Sequence, residues 1–305
     1  MNHLLIIAAL IAMHGGPSLA ADKSRSLLSA DKNNDGKLTL DEVSTQLWKR
    51  LSGFDANGDR ALSAEELAAA DKKSTSGRKP GGATSAFVVR QFKASDGHTL
   101  DYSLFLPPNI KAGEKLPLVL CLHGIGGSTE AANILAAPAR QAQHPCFIMA
   151  PACNGRGSRW VDSTFRQGKE RAVLPELMGA LDAVLHEQAV DTVRVYLTGQ
   201  SMGGVGTWGI IATHPECFAA AVPVCGTWPP EDAPKMARVP VWAFHGEKDE
   251  AVPVEGSRKM ITALKAAGAS PHYTEFPGVG HGSAGAAYAT EAMWDWMFQQ
   301  KRQSQ

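Results

Sequence analysis

The chain has 305 residues, of which 44% are hydrophobic and 20% charged, and its 30 basic residues are balanced by 30 acidic ones. This length is sufficient for one α/β domain with a small appendage. Because the formal net charge is zero and no basic run occurs, we do not expect a nucleic-acid partner.

Residues 1–20 have the pattern of a secretory signal peptide. A short apolar run from Leu4 to Met13 precedes a small-x-small site that ends at Ala20, where we expect cleavage. This run is shorter than the roughly 20 apolar residues that span a bilayer, so it predicts an export signal and no membrane anchor. No Lys or Arg precedes the run, which leaves the export route open. We therefore expect a secreted or periplasmic protein.

Two twelve-residue segments, 31–42 and 55–66, match the calcium-binding loop of EF-hands. Such loops bind Ca²⁺ through oxygen atoms at fixed positions and need a sharp turn in the middle. The first set of ligand positions comprises Asp31, Asn33, Asp35, Lys37 through its carbonyl, Thr39 and Glu42. The second set comprises Asp55, Asn57, Asp59, Ala61 through its carbonyl, Ser63 and Glu66. Residues 21–70 are thus predicted to form a small helical EF-hand module that binds calcium.

The two loops differ at the turn. The first has Gly36 at the sixth position, whereas the second has Arg60, which must then accept a positive φ. We expect weaker calcium binding in the second loop. The spacing resembles compact bacterial EF-hand and dockerin-like pairs, so a protein-docking role stays open beside a structural role for the ion.

Residues 71–85 are rich in Lys, Ser, Gly, Thr and Pro without an apolar period, which predicts a flexible linker. Beyond it, strand and helix patterns alternate over residues 86–301. Strands are predicted near 87–93, 100–106, 118–123, 147–150, 193–198, 219–225, 241–245 and 271–276, and helices near 129–143, 167–187, 202–213, 254–267 and 283–300. An antiparallel start followed by strand-helix repeats predicts an α/β fold with a mostly parallel, doubly wound sheet.

The five cysteines do not indicate a disulfide framework. Cys146 and Cys153 flank a predicted strand that separates them by roughly 20 Å, whereas a disulfide needs about 4.4–6.8 Å between Cα atoms. Cys217 and Cys225 face a similar obstacle, and Cys121 lies inside a predicted central strand. We therefore predict no disulfide framework.

A nucleophile is predicted at Ser201. The pentapeptide Gly199 to Gly203 reads G-x-S-x-G and follows an apolar, β-rich run. A strand that enters a helix through this pattern turns sharply and lifts the serine hydroxyl above the sheet edge. Such a hydroxyl still needs a base to take its proton and an acid to orient that base.

The base and the acid are expected downstream of the serine. Asp249 lies just past a predicted strand end, and His281 lies in a glycine-rich loop. The chain order serine, acid, histidine is that of α/β-hydrolases. We assign Asp249 as the acid and His281 as the base, with Glu247 and Glu250 as rivals for the acid.

An oxyanion site is expected from two backbone amides. The apolar strand that starts at Leu118 opens into a glycine-rich loop that contains Ile125. One amide donor is that of Met202, after the nucleophile, and the other is assigned to Ile125. His123 is expected to brace this loop rather than to react.

Two tryptophans are candidates for substrate contacts. Trp160 and Trp228 follow predicted strand ends and could stack on a sugar or an aromatic acyl group, although ordinary packing is an open alternative. Only residues 226–240 link the strand after the nucleophile helix to the strand before Asp249, which is too short for a lipase-type lid domain. An open cleft for small or polymer-attached esters is therefore expected.

The segment from about Phe87 to Lys301 resembles the α/β-hydrolase superfamily. Within it, the segment is most similar to the secreted esterase branch often labelled "predicted peptidase" or phospholipase/carboxylesterase-like. The motifs that carry the likeness are residues 123–127, 144–146, 197–204, 206–208, 241–246 with Asp249, and 278–281. The resemblance implies the triad Ser201, Asp249 and His281, and carboxylic esters as substrates, with feruloyl or acetyl groups on polysaccharide as candidates.

We therefore expect a secreted serine esterase that needs no cofactor for catalysis and carries a calcium-binding module. A serine peptidase with the same triad is the first alternative. A calcium-dependent docking or adhesion protein, in which the hydrolase fold serves only as a scaffold, is the second.

Overall fold

The computed structural model describes residues 33, 35, 37–39, 41–42, 55, 57, 59–63, 66, 87–108, 110–127, 129–153, 159–162 and 171–302. The predicted signal peptide at 1–20 and the predicted linker at 71–85 lie outside these residues. The chain divides into two compact units, residues 1–84 and 85–305. No helix within the described ranges is both long and apolar enough to cross a membrane.

The smaller unit contains a two-stranded antiparallel sheet. Strands β1 (Lys37–Thr39) and β2 (Ala61–Ser63) pair with Leu38 opposite Leu62. Both leucines are fully buried, while the residues beside them in each strand are half-buried. Each strand lies inside one of the predicted calcium loops, so this pairing joins the two loops.

The larger unit is built on an eight-stranded sheet. Its strands are β3 (Phe87–Lys93), β4 (Thr99–Phe105), β5 (Leu116–Leu122), β6 (Phe147–Pro151), β7 (Val190–Gln200), β8 (Ala220–Val224), β9 (Trp242–Gly246) and β10 (His272–Phe276). They are ordered β10-β9-β8-β7-β5-β6-β4-β3, with β4 antiparallel to both β3 and β6 and all other pairs parallel. The predicted mostly parallel sheet with an antiparallel start is confirmed.

The side-chain patterns explain these positions in the sheet. Every residue of β5 is buried, as expected for a central parallel strand that helices cover on both faces. Strand β3 is one of the two edge strands, and each of its residues is half-buried or exposed, with Val89 76% exposed. Central strands therefore read as continuous apolar runs, whereas this edge strand does not.

Helices cover both faces of the sheet. They are α1 (Glu130–Leu135), α2 (Pro138–Gln143), α3 (Leu174–Glu187), α4 (Met202–Thr213), α5 (Ala233–Met236), α6 (Glu255–Ala266), α7 (Ala284–Tyr288) and α8 (Glu291–Gln299), with a 3₁₀ turn at Pro230–Asp232 before α5. Successive side chains of β5 enter different cores: Leu120 packs with α3, α4, α5 and α6, and Cys121 packs with α1, α7 and α8. The sheet is therefore doubly wound, as predicted.

Two predicted helices are each divided in two. The helix expected at 129–143 ends at Leu135 and restarts at Pro138, because a proline lacks the amide proton that a helix interior requires and is tolerated only in a first turn. The helix expected at 283–300 breaks at Thr290, whose extended backbone lets α8 begin in a new direction. The short helix α5 was not predicted.

All five cysteines lie in described residues and are free thiols. Cys121, Cys146, Cys153 and Cys225 are buried, and Cys217 is half-buried. The prediction of no disulfide framework is confirmed.

Substitution of Trp294 tests the packing of the core between the sheet and α8. Its side chain is fully buried, its indole N–H donates to the carbonyl of Tyr288 at 2.9 Å, and the Arg140 guanidinium lies 5.8 Å from its ring. We expect Trp294→Ala to lower the free energy of unfolding by about 3–5 kcal/mol, measured by urea denaturation. Trp296→Ala is the matched control, because Trp296 lies on the same helix but is only half-buried. Equal losses for the two variants would contradict this assignment of the core.

Candidate active site

Ser201 lies in the turn between β7 and α4, with a φ of 55° and a ψ of −116°. A side chain rarely accepts a positive φ, so the surroundings must hold this turn in place. A Cβ on Gly203 would lie 2.8 Å from the carbonyl carbon of Leu122 and 3.0 Å from the carbonyl oxygen of His123. A Cβ on Gly199 would lie 2.8 Å from the Cβ of Leu122. Glycine is therefore required on both sides of Ser201, because the turn packs directly on the end of β5.

Three predicted residues form one hydrogen-bonded row. The hydroxyl of Ser201 lies 2.8 Å from Nε2 of His281. Nδ1 of the same imidazole lies 2.8 Å from Oδ2 and 3.0 Å from Oδ1 of Asp249. Because a carboxylate accepts hydrogen bonds, Nδ1 carries the imidazole proton and Nε2 is free to accept the serine proton.

The parallel sheet explains why these distant residues meet. Strands β7, β8, β9 and β10 are neighbours and run in one direction, so their carboxyl ends lie at one edge. Ser201 follows β7, Asp249 follows β9 and His281 follows β10. The amide of Lys248 donates to the carbonyl of Val279 at 2.8 Å, which ties the loop of the acid to the loop of the base.

The acid is held more tightly than the base. The side chain of Asp249 is fully buried, and its Oδ1 accepts the amides of Ala251 at 3.0 Å and Val252 at 2.9 Å. The side chain of His281 is 37% exposed. The carboxylate is thus fixed by backbone donors, while the imidazole borders open space next to Ser201.

The two rival acids lie elsewhere. Glu247 accepts the amide of Gly278 at 2.7 Å through its Oε2, and this contact is exposed. Glu250 is exposed to solvent. The geometry therefore selects Asp249 as the partner of His281.

The glycine-rich loop after β5 passes beside the nucleophile. A Cβ built on Gly124 would lie 3.3 Å from the Cβ of Ser201. Within the described parts of the chain, neither the amide of Ile125 nor that of Met202 has a hydrogen-bond acceptor. Two unpaired N–H groups thus flank the serine, and their assignment to an oxyanion stays a prediction. The side chain of Ile125 is 66% exposed.

His123 braces this loop, as predicted. Its Nε2 accepts the amide of Cys153 at 2.8 Å, so its Nδ1 carries the proton and donates to the carbonyl of Gly124 at 2.7 Å. Burial lowers the pKa of His123, although the Gly124 carbonyl opposes that shift. A neutral ring with both nitrogens occupied positions the backbone and is not available as a base.

The two candidate tryptophans lie in different environments. Trp160 is only 1% exposed, its indole N–H donates to the carbonyl of His123 at 3.0 Å, and its ring packs against Gly206. The expectation that Trp160 stacks on a substrate is therefore wrong, because its ring supports the loop from inside the core. Trp228 is half-buried and donates to Asp232 at 2.9 Å, so part of its ring stays accessible.

Cys225 is a neighbour of the triad that sequence reasoning did not identify. It directly follows β8 with a φ of 40°, and its thiol lies within 4.8 Å of side-chain atoms of Asp249 and His281 that could ligate a metal. In the described residues this is the one cluster of three side chains that could ligate a metal. Asp249 and His281 already bind each other, and burial raises the pKa of the Cys225 thiol to about 11. We therefore assign the cluster to the triad and treat the thiol as packing.

The first predicted calcium loop is shaped by its own side chains. Asn33 Oδ1 accepts the amide of Asp35 at 3.0 Å, and Asp35 Oδ1 accepts the amide of Lys37 at 2.9 Å. Glu42 Oε2 accepts the amide of Thr39 at 2.9 Å and its hydroxyl at 2.8 Å. The oxygen-bearing side chains thus turn toward the loop interior. Asp31 lies outside the described residues.

The second predicted loop repeats these contacts. Asn57 Oδ1 accepts the amide of Asp59, and Asp59 Oδ1 accepts the amide of Ala61, both at 2.9 Å. Glu66 Oε2 accepts the amide of Ser63 at 2.9 Å and its hydroxyl at 2.8 Å. Both loops thus make the same contacts at equivalent positions among the described residues.

Two features distinguish the second loop. Arg60 has a φ of 62°, as its position requires, and its amide donates to Asp55 Oδ2 at 2.9 Å. The ammonium of Lys37 lies 2.9 Å from Asp59 Oδ2, and this hydrogen bond lowers the pKa of Asp59. A predicted ligand carboxylate of the second loop is thus paired with a cation from the first loop.

The chain is similar to several known esterases. It is 33% identical to a thermostable esterase of known structure, with a TM-score of 0.67, over 71% of this chain and 64% of that one. It is 30% identical over 187 residues to "Putative esterase NocK" of Nocardia uniformis subsp. tsuyamanensis, covering 57% of this chain and 52% of the relative. It is 25% identical over 164 residues to a bifunctional acetylxylan esterase/xylanase of Neocallimastix patriciarum, covering 53% of this chain and 23% of the relative.

The matched region therefore spans about half the length of the Nocardia relative and about a quarter of the Neocallimastix relative. The predicted α/β-hydrolase fold is confirmed by the sheet order and by the likeness to the thermostable esterase. Residues 104–299 match the dienelactone hydrolase family, which places the strands that carry Ser201, Asp249 and His281 inside the matched region. The chain belongs to the dienelactone hydrolase family.

Proposed function

We propose that this chain is a serine hydrolase that cleaves carboxylic esters through an acyl-enzyme. The observation that carries the proposal is the row of Ser201, His281 and Asp249, with 2.8 Å at each hydrogen-bonded step. A serine hydroxyl next to an imidazole that a buried carboxylate orients is the arrangement that nucleophilic catalysis requires. Membership of a hydrolase family and the likeness to esterases support the same reaction class.

The proposed reaction has two halves. In the first, His281 Nε2 takes the proton of Ser201 while the serine oxygen attacks the ester carbonyl. The imidazolium then gives that proton to the leaving alcohol oxygen, and the acyl group stays on Ser201. In the second half, His281 takes a proton from water, the hydroxide attacks the acyl-enzyme, and the carboxylic acid leaves as the serine regains its proton. Asp249 holds the imidazole in the required tautomer throughout.

We assign the amides of Met202 and Ile125 as the donors that stabilise the negative charge developing on the carbonyl oxygen. Both amides lack an acceptor among the described residues, and both flank the nucleophile. Losing one such donor typically costs about 3 kcal/mol of transition-state stabilisation. Since these donors are backbone groups, the position of the Ile125 amide depends on the bracing of its loop by His123 and Trp160.

We propose small or polymer-attached esters as substrates. Residues 225–241 hold only a 3₁₀ turn and the short helix α5 between β8 and β9, so this connection supplies no lid domain. The exposed Ile125 side chain and the accessible part of Trp228 offer apolar surface on the same unit. Similarity to an acetylxylan esterase supports acyl groups on polysaccharide as one substrate class.

We further propose that the smaller unit is an EF-hand pair that binds Ca²⁺ in a structural role. Its side chains offer the carboxylate, amide and hydroxyl oxygens that this hard cation prefers, and both loops share the same internal contacts. The second loop is expected to bind more weakly, because Ca²⁺ must displace the ammonium of Lys37 from Asp59. Export from the cytoplasm and docking through this unit also remain proposals.

Ser201→Ala should abolish ester hydrolysis, with a loss in kcat of about 10⁶-fold, because no other group can carry the acyl chain. His281→Ala should cost about as much, and the double variant should be no slower than either single one. The assay is release of p-nitrophenol from p-nitrophenyl acetate, and Thr262→Ala, which removes an exposed hydroxyl of α6, is the control. Substantial turnover by Ser201→Ala, or additive losses in the double variant, would rule out the triad.

Esters should be cleaved in preference to amides. We expect turnover of p-nitrophenyl acetate and of feruloyl or acetyl esters, and little or none of a peptide p-nitroanilide with the same enzyme preparation. The Ser201→Ala variant provides the background rate for each substrate. Turnover of the anilide alone would identify a peptidase instead.

Calcium should bind the smaller unit in two steps. Isothermal titration of the full chain with Ca²⁺ should show a tighter and a weaker site, because the second loop carries Arg60 at the turn and the Lys37 ion pair. Glu42→Gln should remove the tighter site and Glu66→Gln the weaker one, since each substitution removes a bidentate ligand. Ester hydrolysis should be unchanged in EGTA. A titration without heat, or loss of the weaker site in Glu42→Gln, would contradict the assignment.

A further inference from the structure

A second histidine contacts the acid of the triad. His245 is the fourth residue of β9, and its side chain is fully buried. Its Nε2 lies 2.9 Å from the carbonyl oxygen of Val252 and 3.2 Å from Oδ2 of Asp249. Both of these atoms are acceptors, so Nε2 must carry a proton and share it between them.

The other nitrogen of this ring is also occupied. Nδ1 of His245 lies 2.8 Å from the hydroxyl of Ser257, a buried residue of α6. Burial lowers the pKa of His245, although the Val252 carbonyl and the Asp249 carboxylate raise it. In the neutral ring with its proton on Nε2, Nδ1 accepts the hydroxyl proton. The same hydroxyl lies 3.1 Å from the carbonyl of Gly226, which is the longer of its two contacts. Ser257 thus contacts the ring at Nδ1 while Nε2–H faces Val252 and Asp249.

The carboxylate is therefore fixed at both oxygens. Oδ1 accepts the amides of Ala251 and Val252 at 3.0 Å and 2.9 Å. Oδ2 lies between two imidazoles, 2.8 Å from His281 Nδ1 and 3.2 Å from His245 Nε2. Because a carboxylate rotates in a broad torsional well, backbone donors to one oxygen alone leave the other free to tilt.

We propose that His245 is a positioning residue for catalysis, which holds Oδ2 of Asp249 in line with the Nδ1–H of His281. This inference rests on the proposed esterase function. The extended row runs from Ser257 through His245, Asp249 and His281 to Ser201. His245 touches no reacting atom and acts only through Asp249.

A purely structural role would have a different signature. The bond from His245 to the Val252 carbonyl closes the turn after Asp249, so losing His245 could destabilise the fold without any effect on the reaction. The positioning role instead predicts a loss in kcat at constant KM, because only the transfer of the serine proton is slowed. Restoring a donor at the Nε2 position should then restore the rate.

The test compares His245→Leu with His245→Gln. Leucine fills the space without a donor, whereas the amide nitrogen of glutamine reaches about the same position as Nε2. We expect His245→Leu to lower kcat for p-nitrophenyl acetate by about 10–100-fold, the range typical for an outer partner that orients a functional group. KM should change by less than about 3-fold, and His245→Gln should recover most of the loss. A wild-type kcat in His245→Leu would overturn the proposal. So would losses of kcat that are equal in the two variants and follow the lowering of their thermal unfolding midpoints.

Ser257→Ala gives a second test that does not depend on folding of the Leu variant. Without the hydroxyl, the His245 ring loses the contact at Nδ1 that holds its orientation toward Asp249, so kcat should fall several-fold with KM unchanged. An unchanged kcat would contradict the extended row. Ser201→Ala in the same assay separates the two hypotheses: if it abolishes turnover while His245→Leu and Ser257→Ala do not lower kcat, only the positioning role fails.

Discussion

The backbone of Ser201 has a positive φ, and this conformation is possible only because glycines surround it. Gly199 and Gly203 allow the end of β7 and the start of α4 to lie against the end of β5 at distances that a Cβ would not permit. The strain in this turn is therefore balanced by packing of the sheet and the nucleophile helix. What results is a hydroxyl at the edge of the sheet that contacts one imidazole and lies beside the glycine-rich loop after β5.

The parallel direction of the strands brings the other two residues of the row to Ser201. Because β7, β9 and β10 end at one edge, three loops of unrelated sequence deliver a hydroxyl, a carboxylate and an imidazole to one place. Layers of support then surround them. Backbone amides and His245 hold Asp249, while His123 and Trp160 hold the glycine-rich loop. The exposed part of the site is small, and most of the residues that shape it are buried.

Much of this arrangement is visible in the sequence, because strands, turns and the order of the triad leave local patterns. The G-x-S-x-G motif and the strand ends before Asp249 and His281 are sufficient to predict the three residues that the structure brings together. Burial is harder to predict, since Trp160 follows a strand end like a surface residue and yet packs under the loop. The break before Pro138 has a local cause that the sequence shows, whereas no proline or glycine marks the break at Thr290.

Other features have no local signature at all. Cys225 lies beside the triad because β8 and β9 are neighbours, which only the strand order reveals. His245 is four residues from Asp249, but its contact with Ser257 requires α6 to pack against the sheet. In the smaller unit, Arg60 adopts the positive φ that its loop position demands, whereas Lys37 pairs with Asp59, 22 residues away, only because β1 and β2 join the two loops.

The five free thiols have a consequence for the biology of the chain. The hydrophobic cores on the two faces of the sheet, and not covalent cross-links, hold the larger unit together. Folding of this unit therefore depends on the burial of apolar side chains, and a reducing agent has no cross-link to cleave among the described residues.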